Sequence, residues 1–356
     1  MDYILDFENL DKGFLPAVGG KNANLGEMIK ANIRVPPGFA VTTDSYKCFI
    51  NSSKVNKIIF KILSNFDKSS VGSLNKASAE IQDLVNSAPI PKEVEDSVRE
   101  GYAKLCERCS VEILPVAVRS SATAEDLPAA SFAGQQDTYL WVQGKDNIIQ
   151  DVRRCWASLF TARAIDYRIK NNFPHEKVLI SVGIQEMVNS RTAGVMFTLN
   201  PTNGDQSKIV IEGNWGLGET VVSGSVNPDK FVVDKVVLET VEKTISTKHI
   251  KCVYDSDREE VVNIDVDEDM QNKSCLNAQE VIELAKIANN IESIYGRPMD
   301  IEWAIDDDLP YPENIFVVQA RPETVWSRKR KDSVIGKKSG YQLLMEQAMK
   351  RIKIRY

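Results

Sequence analysis

Histidine is nearly missing: His175 and His249 are the only two in 356 residues. With no G-x-S-x-G elbow either, little is available for a Ser-His-Asp hydrolase. Six cysteines are scattered too widely for a disulfide framework. Cys106 and Cys109 make a lone C-x-x-C at what reads as a helix end, which does not support four-ligand zinc. No apolar run reaches membrane-spanning length and no signal peptide is recognisable, so the sequence reads as cytoplasmic, with no membrane partner. A G-x-x-x-x-G-K-S/T loop is absent, excluding the P-loop enzymes.

What remains is an ordinary globular composition, 43% hydrophobic and 26% charged, at a length that suits about two domains. The net charge of −6 is uneven. Ser327 to Tyr356 holds ten Lys and Arg against two acids, which leaves about −14 for the rest. An acidic body argues against nucleic acid as a partner. The basic tail could dock on an acidic partner, with Leu343, Leu344, Ala348 and Ile352 on one face of a helix, or be a solvated end.

Apolar spacing predicts a helix over 22–33 that places Lys21 at its entrance, and Thr43 and Asp44 offer N-capping oxygens for the next. Helical sequence continues to about Cys109. Val116 to Val118 reads as a strand delivering Arg119, and 138–142 as a second strand after a small-residue loop. One helix is expected over 151–169 and a long strand over 178–188. Strands are expected at 194–198, 209–212, 230–233 and 235–238, with a loop over 213–224. An amphipathic helix over 277–295 precedes strands 299–305 and 315–320.

Side chains two apart on a strand share a face, so Asp300 with Glu302, and Gln319 with Arg321, would converge if those strands pair. Carboxylate and amide oxygens suit a hard cation such as magnesium, and an arginine beside them suits phosphate. Taken alone, D-x-E reads equally as an edge hairpin with a salt bridge. Near Arg119, Gly134 permits close backbone approach, and Ser131 and Thr138 can bond phosphate oxygens.

These segments occur in one order: Gly19 to Glu27, Val35 to Phe39, Val118 to Asp126, Ser131 to Thr138, Asn200-Pro201, Gly216 to Glu219, Asp300 to Trp303 and Gln319 to Pro322. In that order they resemble the nucleotide-binding region of the phosphoenolpyruvate synthase, pyruvate phosphate dikinase and rifampicin phosphotransferase family, over about residues 1–326. The resemblance implies an α+β ATP-grasp fold, with subdomains 1–190 and 191–326 closing on ATP and a basic tail over 327–356. It assigns phosphate contacts to Lys21 and Arg119 and phosphoryl transfer to Arg321. Ser131, Gly134, Gln136 and Thr138 would form a phosphate cover. Glu186, Met187 and Val188 would hold adenine by backbone, Asp300 would join the residues that bind the nucleotide, and Glu302 with Gln319 would bind Mg2+.

Family members pass the β-phosphoryl of ATP through a histidine, releasing AMP and phosphate. Neither histidine here lies in the family's T-S-H context. The resemblance therefore implies an ATP-binding subunit whose histidine sits on a separate partner, as in phenylphosphate synthase acting on phenol. The nucleotide-binding part of a phosphoenolpyruvate synthase or rifampicin phosphotransferase is the alternative. A noncatalytic ATP sensor and an ADP-forming ATP-grasp ligase are other classes.

Overall fold

Glycine, proline and β-branched residues punctuate this chain into short strands, and the long polar-apolar periods between them become helices. The computed structural model describes residues 2–52, 54–123, 126–127, 130–131 and 137–328. β1 (Ile4–Asp6) and α1 (Leu15–Lys30) lead to β2 (Gly38–Val41) and four successive helices, α2 (Thr43–Ser52), α3 (Val55–Asn65), α4 (Val71–Ser87) and α5 (Lys92–Arg108). Next come β3 (Val116–Ala122), β4 (Asp126–Leu127), β5 (Ala130–Ser131), β6 (Thr138–Val142), α6 (Lys145–Ala157), α7 (Ala162–Lys170) and β7 (Ile180–Glu186). β8 (Ser190–Phe197), β9 (Lys208–Trp215), α8 (Glu219–Val222), β10 (Asp229–Asp234) and β11 (Thr240–Thr244) follow. The remainder is β12 (Ile250–Asp255), β13 (Glu260–Asp265), α9 (Glu268–Gln271), α10 (Ala278–Tyr295), β14 (Met299–Asp306), β15 (Ile315–Pro322) and α11 (Val325–Arg328).

Two antiparallel sheets organise these elements: β1-β2-β7-β3-β6 and β11-β10-β9-β8-β14-β15. The architecture is α+β, as expected. One core gathers the inner face of the first sheet with Phe49, Ile81, Val98, Val152 and Trp156 from its helices, and Phe49 stacks on Trp156 at 4.7 Å. A second core joins Ile211, Phe231, Ile301 and Trp303 of the other sheet to Leu284, Ala288 and Ile291 of α10. Helix α1, although amino-terminal, buries Val18, Leu25 and Met28 in this second core. Asn24 reinforces the join by donating from Nδ2 to Ala320 O of β15 at 3.1 Å.

Several local expectations are corrected. The strand expected at 235–238 is a turn: the Asp234 carboxylate accepts from Val236 N and Val237 N, and Leu238 has φ 56°. The helix expected over 151–169 is broken, because a 3-10 turn at Ser158–Phe160 separates α6 from α7, whose N-cap is Thr161. α2 is entered through Thr42, whose hydroxyl accepts from Ser45 N, while Thr43 instead donates to Pro16 O. Part of the expected 213–224 loop is ordered as the end of β9 and α8.

Pro322 closes the main compact unit and Glu323 begins a second, Glu323–Tyr356, of which α11 is described. The Glu323 carboxylate accepts from Trp326 N at 3.0 Å and 3.1 Å. The helix expected within the basic tail, Leu343 to Ile352, lies outside the described residues. No described helix is long and apolar enough to cross a membrane.

Candidate functional site

A cavity of about 400 Å³ is lined from both sheets. Its walls include Lys21 of α1, Arg119 of β3, Thr138 of β6, and Glu186, Met187 and Val188 at the end of β7. Facing them are Glu302 of β14 with Gln319 and Arg321 of β15. Residues from the first and last tenths of the described chain thus share one enclosed space.

Lys21 arrives by a break in α1. Gly19 has φ 71°, and a Cβ there would stand 2.3 Å from Ser121 Oγ and 2.4 Å from Ser121 O. Only glycine allows the helix backbone so close to β3. The helix was expected to begin after Lys21; it begins at Leu15 and is interrupted at Gly19, which still leaves Lys21 just beyond a helical entrance. Its Nζ donates to Ser120 O at 3.3 Å.

Arg119 is held through one outer nitrogen. Nη1 donates to Val318 O at 3.3 Å and lies 3.5 Å from Glu302 Oε2. Its Nε is buried with no hydrogen-bond partner among the described residues. A buried donor left in this condition costs about 1–3 kcal/mol, which an anionic oxygen would offset.

Pairing of β14 with β15 sets Glu302 opposite Gln319 and Asp300 opposite Arg321. Gln319 Nε2 donates to Glu302 Oε1 at 3.0 Å. Arg321 reaches Asp300 Oδ2 through Nε and Nη2, both at 2.8 Å. Asp300 is not part of the cavity lining; it fixes the arginine that is. No three His, Cys, Asp or Glu side chains among the described residues form a metal cage, so a cation here would complete its shell with ligand oxygens or water.

At the opposite wall, Glu186 N donates to Pro37 O and Met187 N to Pro115 O, both at 2.9 Å. These bonds tie the end of β7 to the segments preceding β2 and β3. Burial raises the Glu186 carboxyl above its usual range, opposed by a hydrogen bond with the Cys109 thiol. Cys109 itself is pushed up to about 11, chiefly by burial and then by the Glu186 charge, so it is an inert thiol.

Gly134 and Gln136 lie outside the described residues, as does the side chain of Ser131. Sequence reasoning missed Leu140, Leu217, Glu219, Val222 and Val318, all of which line the cavity. Gly216 to Glu219 had carried a glycine signal without a role. Leu140 and Val318 had none, because each sits at a register shift that sequence does not reveal.

Neither histidine lines this cavity. His249 Nδ1 contacts Gln271 Oε1 at 3.1 Å, and His175 lies in a 3-10 turn before β7.

Comparison with known proteins places the chain. It is 49% identical to a probable phosphoenolpyruvate synthase of Staphylothermus marinus over 352 residues, which is 93% of this chain and 42% of that protein. It is 46% identical to the phosphoenolpyruvate synthase of Aeropyrum pernix, covering 93% of this chain and 43% of the relative. It is 44% identical to that of Pseudomonas aeruginosa, covering 92% and 43%. The chain thus spans less than half the length of these relatives. The expectation of phenylphosphate synthase draws no support from their names. A family model described as pyruvate phosphate dikinase, AMP/ATP-binding domain, matches residues 15–340. The α+β fold is accordingly of the ATP-grasp type, and the chain belongs to the pyruvate phosphate dikinase AMP/ATP-binding domain family.

Proposed function

We propose that this chain is the nucleotide-binding part of a phosphoenolpyruvate synthase-type dikinase. It would bind ATP in the cavity and deliver the β-phosphoryl to a histidine that is not among these residues, with water taking the γ-phosphoryl, so that AMP and phosphate are the other products. The observation that carries the reading is the convergence of Lys21, Arg119, Glu302, Gln319 and Arg321 on one cavity beside the backbone of Glu186, Met187 and Val188.

The chemistry follows from charge. Each cation about 4 Å from a phosphate charge supplies about 4 kcal/mol at an effective dielectric near 20. Several are therefore needed to offset the lost hydration of a triphosphate. Lys21 and Arg119 act from one wall, and Arg119 Nε supplies the unused donor. Arg321, oriented by Asp300, acts from the other at the phosphoryl in transfer. Asp300 thereby supports the site without lining the cavity. Thr138 offers a hydroxyl, and the stretch with Ser131, Gly134 and Gln136 would cover the phosphates.

Mg2+ fits the donor set, since Glu302 and Gln319 present a carboxylate and an amide oxygen across one strand pair and magnesium takes its other ligands from phosphate and water. When bound, it neutralises charge developing on the phosphate oxygens. On the base side, the amides of Glu186 and Met187 are engaged within the fold, and the Glu186 carbonyl and the Val188 amide would read the adenine edge.

The same reading divides the chain into subdomains 1–190 and 191–326, since the strands of the first sheet end at Glu186 and those of the second begin at Ser190. A histidine from another chain or another segment would enter between them, and 327–356 would help it dock.

Incubation with [β-32P]ATP, Mg2+ and the histidine-bearing region of a phosphoenolpyruvate synthase decides the matter. AMP together with acid-labile label on that region supports the proposal. ADP would instead select an ATP-grasp ligase, and binding with no turnover a sensor.

A further inference from the structure

β6 carries one residue more than β3 where the two pair: Val116 opposes Val142, but Val118 opposes Tyr139. The extra residue makes a bulge, and Trp141 within it takes φ 59°, a conformation that large L-residues seldom adopt. The bulge sends neighbouring side chains in different directions. Leu140 lines the nucleotide cavity, whereas Trp141 stacks on Tyr254 of β12, ring centroids 5.0 Å apart and planes 15° from parallel. Tyr254 also donates from Oη to Gln143 Oε1 at 3.2 Å.

The hairpin of β12 and β13 is itself fastened to the other wall. Leu217 N donates to Cys252 O at 2.8 Å. Gly216, at φ 74°, lies so close to that strand that a Cβ would stand 2.2 Å from Cys252 O. Leu217, Gly218, Glu219 and Val222, which follow Gly216, line the same cavity as Leu140. A short path therefore runs from one wall to the other, through Leu140, Trp141, Tyr254, Cys252 and Leu217.

We propose that the Trp141–Tyr254 stack is a strap that ties the two walls of the nucleotide cavity, making both residues positioning residues for ATP and setting how fast it leaves. The inference rests on the ATP-binding reading and adds to it two residues that do not line the cavity. The stack is local, made of two side chains and one side-chain hydrogen bond, so it can part and re-form without disturbing either sheet. While closed, it holds Leu140 and Leu217 at a fixed separation. Once parted, it frees the hairpin to move with the Gly216–Glu219 segment.

Stopped-flow dissociation of mant-ATP with Mg2+, chased with ATP, tests this on the full chain. Loss of an aromatic pair corresponds to about a two- to tenfold change, so Tyr254→Ala and Trp141→Ala should each speed release by that factor. The double variant should be no faster than the faster single one, because one contact is lost in all three. Tyr254→Phe keeps the ring and should stay within about twofold of the unaltered chain. Melting temperature reports folding for each protein. If Trp141→Ala does not fold, Tyr254→Leu, which leaves the bulge intact, takes its place with the same expected acceleration. A folded Tyr254→Ala protein releasing mant-ATP at the original rate, or a double variant whose effects multiply, overturns the strap. An unaltered chain that does not bind mant-ATP overturns both the ATP reading and the strap.

Discussion

Arg119 Nη1 lies 3.5 Å from Glu302 Oε2, joining β3 of one sheet to β14 of the other. Both side chains are largely withdrawn from solvent, at 18% and 22% exposure. The pair holds the arginine so that its buried Nε has no partner among the described residues. A charge-assisted bond to phosphate is worth about 1.5–3 kcal/mol, so Arg119→Met should raise the Kd for ATP about tenfold to a hundredfold. Isothermal titration measures this directly, and an unchanged Kd would remove Arg119 from the phosphate site.

Arg321 is oriented by two 2.8 Å contacts to Asp300. Arg321→Ala should leave ATP binding measurable and abolish labelling of the histidine acceptor. Asp300→Asn keeps the shape but removes the charge that fixes the guanidinium, and should slow labelling about ten- to a hundredfold with a smaller effect on binding. Normal acceptor labelling in the Arg321 variant would contradict its role.

Gly19→Ala should destabilise the protein by about 2–4 kcal/mol, since it combines a disfavoured φ with a backbone collision. The new methyl would press on Ser121 and displace α1, and Lys21 with it. Denaturant melts record the stability loss, and ATP titration of whatever remains folded records the displacement.

Lys248 and Asp229 form a 2.7 Å ion pair in which both side chains are 0% exposed. Ser246 N and Cys275 N also donate to Asp229. Lys248→Met leaves a buried carboxylate without its counter-ion and should cost about 3–5 kcal/mol. Replacing both members together should cost less than the lysine alone. Urea unfolding of the three variants gives the comparison, and a Lys248→Met chain as stable as the original would show the pair to be inessential.

Burial, and then the charge of Arg168, lowers the His175 pKa from 6.5 to about 4. The unfolded chain therefore binds more protons than the folded one between those values, so stability rises with pH through that window and falls on acidification. His175 is partly exposed, and solvent screening limits the effect to about 1–2 kcal/mol. His175→Gln should flatten this limb of a plot of Tm against pH between 4 and 6.5. An identical slope in the variant would assign the acid sensitivity to other groups.

The chemistry of the candidate site was legible wherever it depended on spacing along one strand. Asp300 with Glu302, and Gln319 with Arg321, follow from the two-residue period of a strand, and their local hydrophobic partners name the strands themselves. The amphipathic period before them defined α10 in the same way, and the structure adds Asn277 as its N-cap. Spacing failed where a side chain competed with regular backbone: Asp234 folds an apolar run into a turn, and Thr161 starts a new helix where one continuous period was expected.

Sequence alone determined which residue types could meet a polyphosphate, because charge and strand alternation are local properties. It did not determine that α1 would leave the amino-terminal half to share a core with α10 and β15, which is what carries Lys21 to Gln319 and Arg321. Only tertiary packing decided that, since burying Val18, Leu25 and Met28 against a distant sheet is a long-range gain with no signature in the spacing of the helix itself. The bulge at Trp141 and its stack on Tyr254 have the same origin, a register shift fixed by neighbouring strands rather than by the residues that undergo it.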